Sequence, residues 1–213
     1  WRQANKYVIP RIAFINKMDR AGADFFGVVQ QIHEKLAANP VPVQIPIGAE
    51  ENFTGVIDLV NMKAIVYFND TATGTQYEIE EIPSHMKEEA EEWRGKLIEE
   101  VAGVDDTLLA RYLEDHESIT GEEVLVALRK SAIDGIAIPV ICGSAFKNKG
   151  IQSLLDSVIA FLPSPVDKGS VIGVDPRNDE EITREPDDEE PLATLAFKIA
   201  TDPFVGRLAF LRV

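Results

Sequence analysis

Two short apolar runs fix what this chain can become. Residues 9–15 and 136–142 are each bounded by polar or small residues, and each leads into a helical pattern. Apolar runs of that length without alternation suit strands buried on both faces, as in a parallel sheet. After the first run, Asp24 is placed to cap a helix. Phe25, Val28, Val29, Ile32 and Leu36 then fall at spacings of three and four along one face. Asn39-Pro40 and Pro42 stop it. After the second run, Ile151, Leu154, Leu155, Val158 and Leu162 share a face, stopped by Pro163 and Pro165.

A different pattern lies between the two strand–helix units. Residues 41–47, 54–60, 63–68 and 76–82 are rich in β-branched and aromatic residues, and turn signals separate them at Gly48, Asn61, Asn69-Asp70 and Gly74. They predict a small antiparallel sheet. Three helical patterns follow. Met86, Ala90, Trp93, Leu97 and Val101 define the first, which ends at Gly103. Leu108, Leu109, Tyr112 and Leu113 define the second, and Val124, Leu125, Leu128 and Ala132 the third, ending near Gly135. This is the order expected of an α/β domain interrupted by an α+β insertion. The expected divisions are 1–40 with 136–167 for the α/β part, with two parallel strands, and 41–135 for the insertion. An acidic linker or hairpin spans 168–190, and 191–213 opens a new β domain. The chain starts at Trp1, in a helix tail, and stops at Val213 within a strand pattern, which reads as a segment of a longer protein.

Charge limits the partners. The 213 residues carry 21 basic and 36 acidic side chains, a net charge of −15. Such a field repels phosphate, so direct nucleic-acid binding is not expected. The acid is concentrated in residues 78–100, with nine glutamates, and in 175–190, with nine acidic residues. Both runs read first as solvated surface. One cysteine, Cys142, cannot form an internal disulfide, which suits a reducing, cytoplasmic setting. The sequons at Asn52 and Asn69 are then chance matches. No stretch is long and apolar enough for a membrane span.

Chemistry gathers at the ends of the two buried strands, where open α/β sheets bind ligands. The first strand ends in Asn16-Lys17-Met18-Asp19. A carboxylate such as Asp19 accepts two hydrogen bonds at once. Guanine presents a ring N–H beside an amino group, a matched donor pair that adenine lacks. Lys17 can lay its methylene stem on a base face, and Asn16 can tie loop backbone together. The second strand ends in Gly143-Ser144-Ala145. There a backbone N–H at Ala145 could meet the guanine carbonyl, and the Ser144 hydroxyl could brace Asp19.

These two motifs resemble the fourth and fifth sequence motifs of the translational GTPases. Longer stretches, residues 1–7, 12–20, 143–150 and 196–206, are similar to the elongation factor G family within them. The Asn5-Lys6-Tyr7 start and the large insertion favour that family over release-factor and tetracycline-protection GTPases. The resemblance implies a P-loop-type GTPase fold: a doubly wound sheet lacking its first half, an inserted G′ subdomain and the first strands of a β-barrel domain. It implies GTP or GDP held at the base by Asn16, Lys17, Met18, Asp19, Ser144, Ala145 and Phe146. It also implies Mg²⁺ in the longer protein, action on the ribosome in moving tRNA and mRNA, and contact between residues 41–135 and the large-subunit stalk protein.

The chain departs from the family pattern in one large respect. It has no Gly-x-x-x-x-Gly-Lys-Ser/Thr loop to cradle phosphate, and Asp19-Arg20-Ala21-Gly22 matches the family's magnesium motif only by overlap. His33, His85 and His116 lie away from any phosphate position. No residue is therefore assigned a catalytic or metal-binding role, and the isolated chain is expected to be inactive. Its shortened sheet is expected to leave residues 1–20 and 136–165 uncovered and prone to self-association. A docking module that never meets nucleotide is the alternative of another class. A stand-alone α/β enzyme has no nucleophile–base pair to support it.

Overall fold

The computed structural model describes residues 1–68, 76–104, 106–114 and 118–213. The Asn69-Asp70 and Gly74 turn signals, the Asn69 sequon and His116 lie outside them. Two compact units are present, Trp1–Leu162 and Pro163–Val213.

The first unit holds a parallel sheet of three strands, not two. β1 (Ala13–Ile15), β7 (Ile138–Cys142) and β2 (Pro40–Pro42) run in the order β1-β7-β2, with β7 in the centre and every residue of it buried. Sequence reads residues 41–47 as one antiparallel strand. In the structure the chain changes sheets at Val43. Its N–H donates to Val140 of the parallel sheet, and its carbonyl accepts from Leu59 of the antiparallel one. From there β3 (Gln44–Ile47), β4 (Gly55–Asp58), β5 (Lys63–Tyr67) and β6 (Tyr77–Glu80) form a meander in sequence order. Pro46 is tolerated because β3 is an edge strand. The run at 9–15 also shortens, to three residues. Val8 takes φ 48° and Pro10 has no N–H to offer a neighbour.

Helices cover these sheets. α1 (Arg2–Lys6) precedes β1. α2 (Phe25–Leu36) starts at Asp24, whose carboxylate accepts from Gly27 N–H at 2.9 Å. α3 (Lys87–Ala102) buries Ala90, Leu97, Ile98, Val101 and Ala102, and its Trp93 stacks on Phe26 of α2. α4 (Asp106–Glu114) is followed by α5 (Gly121–Ile133), which opens with a capping box between Thr120 and Glu123. One core joins both sheets through Ile15, Val41, Ile45, Leu59, Leu97, Leu128 and Ile141.

α6 (Ile151–Phe161) is largely uncovered, in line with the expectation for residues 136–165. Ser157 and Phe161 are its buried residues, while Leu155 and Ile159 are 60% and 78% exposed. The expected apolar face is real, but much of it meets solvent.

In the second unit, α7 (Pro165–Lys168) is followed by a hairpin, β8 (Val171–Val174) with β9 (Glu181–Arg184). The acidic 168–190 stretch is therefore ordered. Asp175 turns the hairpin by accepting from the Arg177 backbone and guanidinium. β10 (Leu195–Asp202) and β11 (Gly206–Arg212) form a second antiparallel pair.

Candidate functional site

Adjacent parallel strands deliver two loops to the same place. β1 ends at Ile15 and β7 at Cys142, directly paired, so residues 16–22 and 143–150 leave the sheet side by side. The backbone stitches them together. Gly143 N–H donates to Ile15 at 3.0 Å, and Met18 N–H donates to Gly143 at 3.1 Å. Gly143 is required for steric reasons. A Cβ there would stand 2.3 Å from the Lys149 carbonyl oxygen and 2.9 Å from the Phe14 ring.

Asn16 is the hub. Its Oδ1 accepts from Lys17 N–H at 2.8 Å and from Ala145 N–H at 3.0 Å, joining positions 129 residues apart. The Ala145 amide, expected to face a base carbonyl, is thus already given to Asn16. Lys17 sits at φ 65° with an exposed side chain. Met18 is 1% exposed and belongs to the core, so it serves the loop through its backbone. Phe146 is 94% exposed.

Asp19 lies between the two loops, its carboxylate largely covered and 3.4 Å from Lys147 Nζ. The Ser144 hydroxyl does most to hold the Asp19 carboxyl below its ordinary value. Its own backbone amide and Lys147 add to that, against partial burial. The carboxylate is therefore ionised at neutral pH and ready to accept two donors.

A third loop completes the site and was not foreseen from sequence. Glu50 N–H donates to the Met18 carbonyl at 2.8 Å, and the Glu50 carboxylate accepts from Gly22 N–H at 2.6 Å. Buried Lys149 reaches the Phe53 carbonyl at 3.1 Å, and burial pushes its ammonium pKa down. Lys147, Lys149, Glu50 and Phe53 gave no local signal because each contact spans a long loop. The repeated Lys-x-Lys after Ser144-Ala145 was the one visible hint.

Among the described residues, no group of three or more His, Cys, Asp or Glu is arranged to hold a metal ion. His33 is occupied at the end of α2, beside the Ala38 carbonyl at 3.1 Å. Burial pushes the Cys142 thiol far up, so it is not a nucleophile at neutral pH. No described helix is long and apolar enough to cross a membrane.

The family described as the elongation factor Tu GTP binding domain matches residues 1–164. Elongation factor G of Amoebophilus asiaticus (strain 5a2) is 56% identical over all 213 residues, which make up 30% of that protein. A crystal structure of a Thermus thermophilus protein superposes with a TM-score of 0.77 at 26% identity, over 100% of this chain and 28% of that one. The chain thus spans under a third of the length of these relatives. With its two loops meeting at the ends of paired parallel strands, the chain belongs to the elongation factor Tu GTP-binding-domain family.

Proposed function

We propose that this chain is the base-reading part of an elongation factor G, the GTP-hydrolysing factor that moves tRNA and mRNA on the ribosome. The observation that carries the reading is the placement of a shielded, ionised Asp19 between two loops at the ends of β1 and β7. Asp19 would accept the ring N–H and amino group of guanine. Lys147 now lies against that carboxylate and would yield to the base. Lys17 would cover the ring with its stem, and Asn16 would hold the Ala145–Phe146 backbone where the guanine carbonyl arrives. GTP or GDP is the nucleotide this pocket fits, because a carboxylate lined up for two donors is left badly paired by adenine. Among the described residues no acidic group is arranged to hold the Mg²⁺ that accompanies the phosphates in the family, so no step is assigned to it.

Residues 41–135 are read as the inserted G′ subdomain and residues 191–213 as the start of the barrel domain. The exposed acid of α3 suits a basic surface on the ribosomal stalk, in a cytoplasmic setting. Glu92 and Glu100 are partly engaged within the chain, by Lys96 and Asn39, which leaves the exposed Glu88, Glu91 and Glu99 as the better candidates.

The test is calorimetry with GDP and ADP on the whole factor and on this chain. The whole factor should bind GDP and not ADP. The chain alone, lacking a phosphate loop, should bind GDP weakly or undetectably and hydrolyse no GTP. Equal affinity of the whole factor for ADP would overturn the base-reading role.

A further inference from the structure

One residue outside the two base loops holds the backbone on both sides of Asp19. Glu50 N–H donates to the Met18 carbonyl at 2.8 Å. That carbonyl lies in the same peptide plane as the Asp19 nitrogen, so the bond fixes the direction in which Asp19 leaves the chain. Three residues after Asp19, Gly22 N–H donates to the Glu50 carboxylate at 2.6 Å. Met18 is held separately, by its N–H on the Gly143 carbonyl at 3.1 Å and by its side chain in the core. The segment from Met18 to Gly22 is pinned at both ends, and Asp19 lies between the pins.

Glu50 is itself kept in place. It takes φ 56°, in the left-handed region that residues with a Cβ seldom adopt. Such a conformation persists where the surroundings impose it. A short 3₁₀ turn, Glu50–Asn52, begins there, and Phe53 N–H donates back to the Glu50 carbonyl at 3.2 Å. Phe53 is buried, and its carbonyl accepts from Lys149 of the second base loop at 3.1 Å. The Glu50 side chain is exposed, so its carboxylate fills no space in the core.

We propose that Glu50 is a positioning residue for base reading: by holding the Met18 carbonyl and the Gly22 amide, it aims the Asp19 carboxylate at both donors of guanine. This rests on the base-reading role proposed for Asp19, and Glu50 acts through that residue rather than on the nucleotide. Accepting two hydrogen bonds at once demands alignment, because each bond weakens steeply as its angle closes. A loosened loop keeps one bond and loses the other. Hypoxanthine carries the ring N–H and the carbonyl of guanine but lacks the amino group. The preference for GDP over inosine diphosphate therefore reads the second bond.

The experiment is calorimetry on the whole factor with GDP, inosine diphosphate and ADP. The native factor should prefer GDP to inosine diphosphate by about 10–100-fold, the worth of one hydrogen bond to a charged group. Glu50→Ala removes the acceptor for Gly22 and should cut that preference about 5-fold or more. Glu50→Gln keeps an oxygen that can accept from Gly22, and should restore the preference to within about 2-fold of native. Should Glu50→Ala fail to fold, Glu50→Gly takes its place, since glycine suits φ 56° and also lacks the carboxylate. A merely structural role would weaken both nucleotides alike. An unchanged preference, or a Glu50→Gln variant as impaired as Glu50→Ala, overturns the proposal, while a native choice of GDP over ADP leaves the base reading standing. A native factor that does not distinguish GDP from ADP overturns the base reading and the role of Glu50 with it.

Discussion

On the proposed reading Asp19 is where base choice would be decided, and its environment says how. The Ser144 hydroxyl and Lys147 both favour its charged form. A carboxyl with a depressed pKa contributes binding and stability that are present above its unfolded value of about 3.9. They are lost only as pH falls through the still lower folded value. Guanine binding by the whole factor should therefore be flat from about pH 5 to 8 as far as Asp19 is concerned. A titration step near neutrality in Ser144→Ala but not in the native protein would contradict this, because the expected rise stays within the carboxylate range. Asp19→Asn exchanges one acceptor for a donor. Two hydrogen bonds to a charged group are worth roughly 1.5–3 kcal/mol each, and about 1.4 kcal/mol is tenfold. GDP affinity should fall about 100-fold or more. Xanthosine diphosphate, which offers a ring N–H beside a carbonyl, should gain; calorimetry with both nucleotides checks it. Asp19, Asn16 and Ser144 were legible in the sequence because they sit in short runs after buried strands. Lys147 against Asp19 and Glu50 under Gly22 were not, since each depends on the closure of a loop whose length does not dictate its landing point.

At the scale of elements, one side chain fastens α3 to its neighbours. Arg94 of α3 donates to the carbonyls of Leu59 and Val60 at 2.6 Å each and to Ile119 at 3.2 Å. It thereby ties a helix to the turn after β4 and to the start of α5. Burial pushes the guanidinium pKa down, with Asp58 opposing, yet an arginine stays charged at any working pH. Arg94→Met keeps the apolar stem and removes the donors, leaving part-buried carbonyls unpaired. The expected loss is about 2–3 kcal/mol, or roughly 4–12 °C in melting temperature. A melting curve superposable on the native one would show the clamp to be idle. The periodicities of α2, α3 and α5 were readable because one face of each meets the core. The split of 40–47 into two strands was not readable. Its apolar residues suit either sheet, and the switch rests on Val43 bonding both ways. The apolar face of α6 was visible too; its exposure accords with the expectation that the shortened sheet leaves 136–165 uncovered, since periodicity by itself says only which face seeks cover.

The whole molecule is uneven in how much it buries, and that sets its behaviour in solution. Leu155, Val158 and Ile159 stand exposed together on one face of α6, an apolar patch of the kind that promotes association. The net charge of −15 opposes contact between copies. Salt shortens the reach of that repulsion, from about 10 Å at 0.1 M to about 3 Å at 1 M. Sedimentation at the two salt levels should show mass rising with salt, and the double variant Leu155→Glu, Ile159→Glu should suppress it; a monomer under all conditions would contradict the patch. The second unit is weaker still. Between Pro163 and Val213 Asp175 alone is buried, while every residue of β11 is exposed. Hairpins without a covered face are marginal in water, whereas β7 is buried throughout and bonded on both sides. Local opening follows burial, so amides of β10 and β11 should exchange with solvent hydrogen far faster than those of Val140, Ile141 and Cys142, by about two orders of magnitude or more if the difference in opening exceeds roughly 3 kcal/mol. Hydrogen exchange read by mass spectrometry on the intact chain resolves the two sets. Equal protection would mean that the hairpin at 195–212 acquires cover in solution, from another copy or from the rest of the chain. The Leu155→Glu, Ile159→Glu variant then separates those cases. If a second copy docked through α6 supplies the cover, protection of β10 and β11 falls with association. If the rest of the chain supplies it, protection stays.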